Sequence, residues 1–483
     1  MSLTSAMNSA ISGLAVNSRL ADLASTNIAN AATPGYMRRQ ADVTSIVLGG
    51  EGAGVTIGGI RRDVSLYLQN ERRGAEAAVS HQDTRAAFLS RVEASFGTDS
   101  ENSLMARIAQ FDTALISATS RPESEARLSG VLSSAQQIVD HITGTASSIQ
   151  KARTEADSAI AAEVGLLNSA LAQVEDLNGR IMAANIAGRD STSLQDLRQR
   201  QIDQISGIIP LRQIPRENGV IALYSTSGAP LVDGKASEFG FTATRAITAE
   251  MNVTDGPLSG LTMNGRAMST RDNGLLSGGS LSAHFAVRDE LAPAAQAKLD
   301  GLSRDLVERF QANGLDPTIA PGAAGLFTDQ GVAFDSADEV GLSARLQVNA
   351  AVDPEEGGAL WRLRDGLGAT VAGPVGDSTL LNSLRGALIA ETVPSSATLD
   401  GGQRSLASLA SNITSQAAQD RVTVEDQLTF AQSRATTLQE QEQVHGVDTD
   451  QELQNLLLIE QSYAANARVI QAIDDMLATL MEL

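Results

Sequence analysis

Several stretches of this chain approach a spacing suited to bond-making chemistry, and each lacks an essential part. Gly228 to Lys235 has the texture of a phosphate-cradling loop, but the spacing to Gly234 is one residue too long and Ala236 stands where a hydroxyl is required. Gly52 and Gly54 begin a dinucleotide-type glycine run that Ile57 breaks. Gly278-Gly279-Ser280-Leu281-Ser282 misses the last glycine of a nucleophile elbow. A wall-cleaving hydrolase would need paired carboxylates in a cleft, whereas the acidic residues here are spread along helical faces. With no Cys, disulfides and thiolate metal sites are excluded, and His81, His141, His284 and His445 are scattered singly. His141 lies one residue before an apolar stripe and reads as a solvated side chain. These observations predict no catalytic residue, no metal and no cofactor.

Composition narrows the function further. At 483 residues the chain can hold two to four domains, yet aromatics are only 3% of it and Trp361 is its one tryptophan, which disfavours ring-lined ligand pockets and suits helical rods. A formal net charge of -21 argues against nucleic acid, whose phosphates need clustered Lys and Arg. The first eighteen residues hold no Lys or Arg and no unbroken apolar run, so they do not resemble a secretory signal. No stretch has the length of a membrane span, and no membrane insertion is expected.

The strongest periodicities lie at the two ends. Leu456, Ile459, Tyr463, Asn466, Ile470, Ile473, Leu477 and Leu480 alternate steps of three and four, the spacing of a helix that packs along another helix. Thr449-Asp450-Gln451-Glu452 reads as a capping box that starts it. Leu3, Met7, Ala10, Leu14, Asn17, Ala21, Ala24 and Ile28 repeat the spacing near the amino terminus. Arg19 and Asp22 are the only charges between Met1 and Met37, and an outer face of Ser, Thr and Asn suits a helix surrounded by other protein. The expectation is an antiparallel terminal pair whose stripes meet neighbouring copies and which orders largely on assembly. The plainer alternative is that the two helices close one monomer's own core.

Between the ends, Ala41 to Leu48 and Ile57 to Leu68 read as extended segments joined by a turn. Gly74 to Ser206 reads as helix, with one stripe at Leu128, Val131, Ala135, Ile138, Ile142, Thr145 and Ile149 and another at Ile160, Val164, Leu167, Leu171, Val174, Asn178 and Ile181. Leu211 to Ile214, Asn218-Gly219 and Val220 to Tyr224 read as a hairpin, and Asp233-Gly234, Asn264-Gly265 and Asn273-Gly274 as further turns. Helix resumes at about Ala283 to Gln311, with Pro293 kinking or starting it and Asn313-Gly314 stopping it. Residues 315–376 read as turns with short strands. Helix from roughly Leu406 to Val444 then breaks at His445-Gly446. The fold class expected is mainly α with a β-rich insert. Its parts are a terminal antiparallel coiled coil (1–45 and 446–483), a long-helix rod domain (46–206, 283–314 and 377–445) and an outer β-hairpin domain (207–282 and 315–376).

Asn27-Ile28-Ala29-Asn30 followed by Thr33-Pro34-Gly35-Tyr36 and Arg38-Arg39-Gln40 resembles the amino-terminal signature of the bacterial flagellar axial proteins, the rod, hook and hook-associated proteins. Gln451-Glu452-Leu453, Glu460-Gln461-Ser462-Tyr463, Ala467-Arg468-Val469-Ile470 and Asp474-Asp475-Met476-Leu477 resemble its carboxyl-terminal signature. The Thr-Pro-Gly-Tyr form followed by Arg is similar to the hook-associated, hook-filament junction branch, where the hook protein usually has Gly-Phe-Lys. On residues alone, Pro34-Gly35 suits the middle of a type II turn, and Asn27 and Asn30 could simply cap the last carbonyls of the helix. The resemblance implies a structural adaptor that joins hook to filament by helical self-assembly. It also implies export through the flagellar channel without a cleaved signal. Its partners would be further copies of itself, the hook protein, the next hook-associated protein on the filament side, and an export chaperone on the carboxyl-terminal strip. A hook or distal-rod protein is the nearer alternative, and a signalling coiled coil or a cell-wall hydrolase a remote one.

Overall fold

The computed structural model describes residues 3–33, 36–48, 51–97, 103–254, 256–271, 273–399, 401–444 and 446–481. Helix α1 (Leu3–Asn30) leads into an antiparallel hairpin of β1 (Arg39–Leu48) and β2 (Glu51–Arg62). Four helices follow: α2 (Leu66–Phe96), α3 (Leu104–Ser120), α4 (Glu125–Ile186) and α5 (Thr192–Ser206). Thus the second extended segment stops at Arg62, where Ser65 caps α2 by accepting the Leu68 amide. Strands β3 (Leu211–Pro215), β4 (Ile221–Ser225), β5 (Pro230–Asp233) and β6 (Lys235–Ala236) form one antiparallel sheet in that order. Strands β7 (Phe239–Gly240), β8 (Thr262–Met263) and β9 (Arg266–Ala267) form another. Asn218 and Gly219 turn the first hairpin at φ 54° and 74°, the left-handed values that Asn-Gly admits at little steric cost. The stretch that mimicked a phosphate loop is the strand β5 and its turn.

Helix α6 (Ser280–Ala286) passes through a π-helical segment, Val287–Leu291, into α7 (Ala292–Phe310). Pro293 explains that segment. It has no N–H for the Asp289 carbonyl and its ring crowds that oxygen, so the backbone widens and Ala292 N donates to Val287 O. Beyond α7 come β10 (Phe327–Asp329), α8 (Leu342–Arg345), β11 (Leu346–Val348), α9 (Arg362–Asp365) and α10 (Thr379–Ile389). Two long helices, α11 (Leu406–Val444) and α12 (Thr449–Met481), end the chain. Gly446 N donates to Gln443 O between them at 2.9 Å, while His445 lies outside the described residues.

The spine is α4, 62 residues long, and both predicted apolar stripes are faces of this one helix, buried at every position. Its first half joins α2, α3, α7, α10 and α11 in one buried cluster. Its second half joins α5, α6 and the β3–β6 sheet in another. The stretch 315–376, expected to extend the insert, instead packs Leu326, Phe327, Leu342, Leu346, Val352 and Leu363 into the first cluster. Helix α11 runs antiparallel along α2, as the ion pairs Arg421 with Glu93 and Arg434 with Glu71 require.

Aromatics are scarce, and three of them meet in the larger cluster. Phe310 lies 6.0 Å from Phe111 and 5.0 Å from Phe327, ring centre to ring centre. Truncation by Phe310→Ala should destabilise this cluster by about 3 to 5 kcal/mol, read from denaturant unfolding, while the 74% exposed Phe430→Ala should change stability by under about 0.5 kcal/mol. Glu163, on the second half of α4, is raised from an ordinary value of 4.5 to about 7 by burial, against the Ser280 hydroxyl that donates to it at 2.6 Å. A carboxyl whose pKa is higher folded than unfolded favours the native state fully below the lower value, and that contribution is lost as pH rises through the upper one. Glu163→Gln should therefore raise stability at pH 8 by roughly 1 to 3 kcal/mol and change little at pH 4, as thermal melts at the two pH values would measure.

Candidate assembly interface

The terminal helices meet as expected in direction and differently in detail. Gly13 of α1 lies against Asn466 of α12, where an added Cβ would stand 2.8 Å from the side-chain nitrogen. Asn27 shares a groove of about 350 Å³ with Glu452 and Asn455, so the helices run antiparallel. On α1 the buried positions are Ala10 and Ala24 of the predicted stripe, with Gly13, Val16 and Asn27 to one side of it, so the buried face is displaced toward that side. Leu3, Met7, Leu14 and Ile28 are half-buried. The displacement has a cause: β2 packs on the same helix, and Val55 N donates to Ser12 Oγ at 3.1 Å. Gly54, at φ 113°, permits this approach, because a Cβ there would fall 2.1 Å from Ser12 Oγ.

Helix α12 is covered far less. Of its predicted stripe Ile473 is buried, Leu456, Ile459 and Ile470 are half-buried, and Tyr463 and Leu477 are exposed. The Leu480 side chain lies outside the described positions. Leu457 and Leu458 are 59% and 61% exposed, and Leu458, Val469 and Met476 fall on one further face, whole turns apart. The sequence reading missed this second face, although the same periodicity test applied outside the main stripe would have found it. One partner helix thus leaves much of the apolar surface of α12 uncovered.

The family turn motif acts as a clasp. Asn27, buried, donates from Nδ2 to Arg39 O at 2.9 Å and accepts from Arg39 N at 3.0 Å and from Tyr36 Oη at 2.8 Å. Asn27 therefore pairs with the start of β1 as a neighbouring strand would, and does not cap its own helix. Asn30 does turn back, donating to Thr26 O at 2.9 Å and accepting from Thr33 Oγ1 at 3.3 Å. Tyr36 N donates to Thr33 O at 3.1 Å, while Pro34 and Gly35 lie outside the described residues. Burial raises the Tyr36 pKa, which keeps its hydroxyl a donor.

Charges tie the terminal unit to the body. Asp196 of α5 holds Arg39 at 2.7 Å through one oxygen and Arg62 at 3.0 Å through the other, joining both strands of the hairpin to one helix. Arg38 Nε donates to the buried Glu452 at 2.7 Å. The expected capping box is thereby corrected. Asp448 caps α12, accepting from the Asp450 and Gln451 amides at 3.0 and 3.1 Å, and Glu452 reaches across to the other end of the chain. His141, expected in solvent, is half-buried, and burial lowers its pKa with help from Arg107.

The family model for the "Flagellar hook-associated protein FlgK helical domain" matches residues 89–324, and that for the "Flagellar basal body rod FlgEFG protein C-terminal" matches residues 443–483. The chain is 23% identical to flagellar hook-associated protein 1 of Escherichia coli K12 over 97% of its own length and 98% of that protein's. It is 26% identical to flagellar hook-associated protein 1 of Salmonella typhimurium LT2 over 49% of its own length, a match that spans 44% of the relative. Among solved structures, the flagellar hook junction protein FlgK from Burkholderia pseudomallei aligns with a TM-score of 0.44 at 20% identity, covering 54% of this chain and 46% of that one.

Asn27→Ala removes both bonds to Arg39 and leaves buried backbone groups unpaired. It should cost about 1 to 3 kcal/mol locally, seen as faster hydrogen exchange at the Arg39 amide with α4 amides unchanged.

Proposed function

We infer the role of this chain from the flagellar hook-associated protein 1 family, to which it belongs as a structural component of the extracellular bacterial flagellum. Within that role, the chain joins hook to filament by repeating heterologous contacts, which build open helical arrays. The observation that carries this reading is the uncovered apolar surface of α12. A helix that exposes Leu457, Leu458, Tyr463 and Val469 beside one partner helix gains burial only from neighbouring molecules. The nearly uncharged outer face of α1 supports the same reading, since it can be surrounded without stranding a charge.

Leu3, Met7, Leu14 and Ile28, with Leu456, Ile459, Tyr463, Ile470, Ile473, Leu477 and Leu480, are the proposed subunit-packing residues. Asn27, Asn30, Thr33, Pro34, Gly35 and Tyr36 set the angle at which the terminal pair leaves the body. Residues 1–45 and 446–483 form the axial unit as an antiparallel coiled coil. Rod helices lie outside it, and the β-hairpin domain of residues 207–282 lies outermost. The partners are the hook protein, the next hook-associated protein on the filament side, and a flagellar export chaperone that shields the α12 strip before export without a cleaved signal. The chain has no catalytic task in this reading. A hook or distal-rod protein shares such termini, but the match of the hook-associated helical domain over residues 89–324 favours the junction.

Ile470→Asp combined with Leu477→Asp should leave the α4 cores folded, abolish swimming and release unassembled filament subunits into the medium. Motility plates and immunoblots of culture supernatants measure both, and normal swimming would overturn the reading.

A further inference from the structure

The two buried clusters meet at a polar layer that both long crossing helices traverse. Along α4 the larger cluster ends at Ala156 and the smaller begins at Ile160, with buried Arg153 and Asp157 at the boundary. The α6–α7 helix crosses the other way. Leu281 and Phe285 belong to the smaller cluster, Val287, Ala292 and Leu299 to the larger. Its crossing point is Arg288, fully buried, which bonds Asp157 Oδ1 at 2.7 Å and Asp289 at 2.8 Å through both of its other faces, and stacks over Phe285 and Phe241. Arg153 donates to Arg288 O at 2.7 Å, to Thr248 O at 2.9 Å and to Met251 O. The π-helical segment Val287–Leu291 lies at this level. Beside it opens a cleft of about 900 Å³ that takes Arg153 and Asp289 into its lining. Residues 249–254 and 268–271 of the smaller body line one side, and Pro293, Val340 and Thr398 of the larger line the other.

We propose that this layer is a joint. The smaller body, built on the second half of α4, α5 and residues 207–286, pivots about the Val287–Leu291 segment and the Arg153–Asp157 turn of α4, opening and closing the cleft, with Arg288 as the clasp that fixes the resting angle. Apolar contact resists separation without regard to direction, whereas charged hydrogen bonds hold one geometry and release once a partner is lost or water enters. Both bodies keep their own cores throughout, so the pivot costs neither. The joint operates whatever the terminal helices pack against.

The chain lacks cysteine, so spin labels can be set cleanly at Ser269→Cys and Ala397→Cys, exposed positions on opposite sides of the cleft. The full chain should give a narrow distance distribution, and Arg288→Met should broaden it about twofold with helical content unchanged. Should Arg288→Met fail to fold, Asp157→Asn, which keeps a group for the Thr244 amide, should broaden it likewise. A folded variant with the original narrow distribution would overturn the joint, as would equal loss of exchange protection in both clusters.

Discussion

A single helix has to satisfy two separate hydrophobic cores along one continuous face, and that constraint organises the molecule. From Leu128 to Ile181 the inward positions of α4 are occupied almost without interruption by apolar residues, so every element that needs burial must find its place along this line. Helices α2, α3, α7, α10 and α11 use its first half, and the β3–β6 sheet its second. Because helix packing needs only a stripe, a chain with few aromatics can build a long body with modest cross-section. Three of the rings it does have, Phe111, Phe310 and Phe327, bring three distant segments together.

The terminal unit obeys a different economy of contact. Its hairpin is joined to α5 by the ion pairs of Arg39 and Arg62 with Asp196, while Asn27 and Arg38 hold the unit's own helices and hairpin together. Such bonds fix orientation while leaving the apolar faces of α12 available. A subunit that assembles with copies of itself gains from this division, since the surface proposed for assembly is not consumed in attaching it to its own body. The net charge of -21 acts in the same direction, discouraging indiscriminate contact between the remaining surfaces.

Long amphipathic helices and Asn-Gly turns were legible in the residues because both are local. The stripe on α4 depends on a 3.6-residue period, and the turn at Asn218-Gly219 on which residues tolerate positive φ. Helix α11 runs over the residues expected of it, Leu406–Val444. The pairing of the two ends could be anticipated in direction, because matching stripes at opposite termini have few other partners.

What the chain's order of residues determined by itself was the location of helices and turns, and the resemblance of its two ends to one family. Tertiary structure alone decided where the polar side chains went. Asn27 could cap its own helix or bridge to β1, and Glu452 could turn back on its own amides or reach Arg38; both choices depend on a hairpin and a helix brought in from elsewhere. The same holds for residues 315–376, whose short strands looked like an extension of the insert but whose apolar side chains found their partners on α3, α4 and α7. Local pattern specifies which residues seek burial, and only the folded chain supplies the surface that buries them.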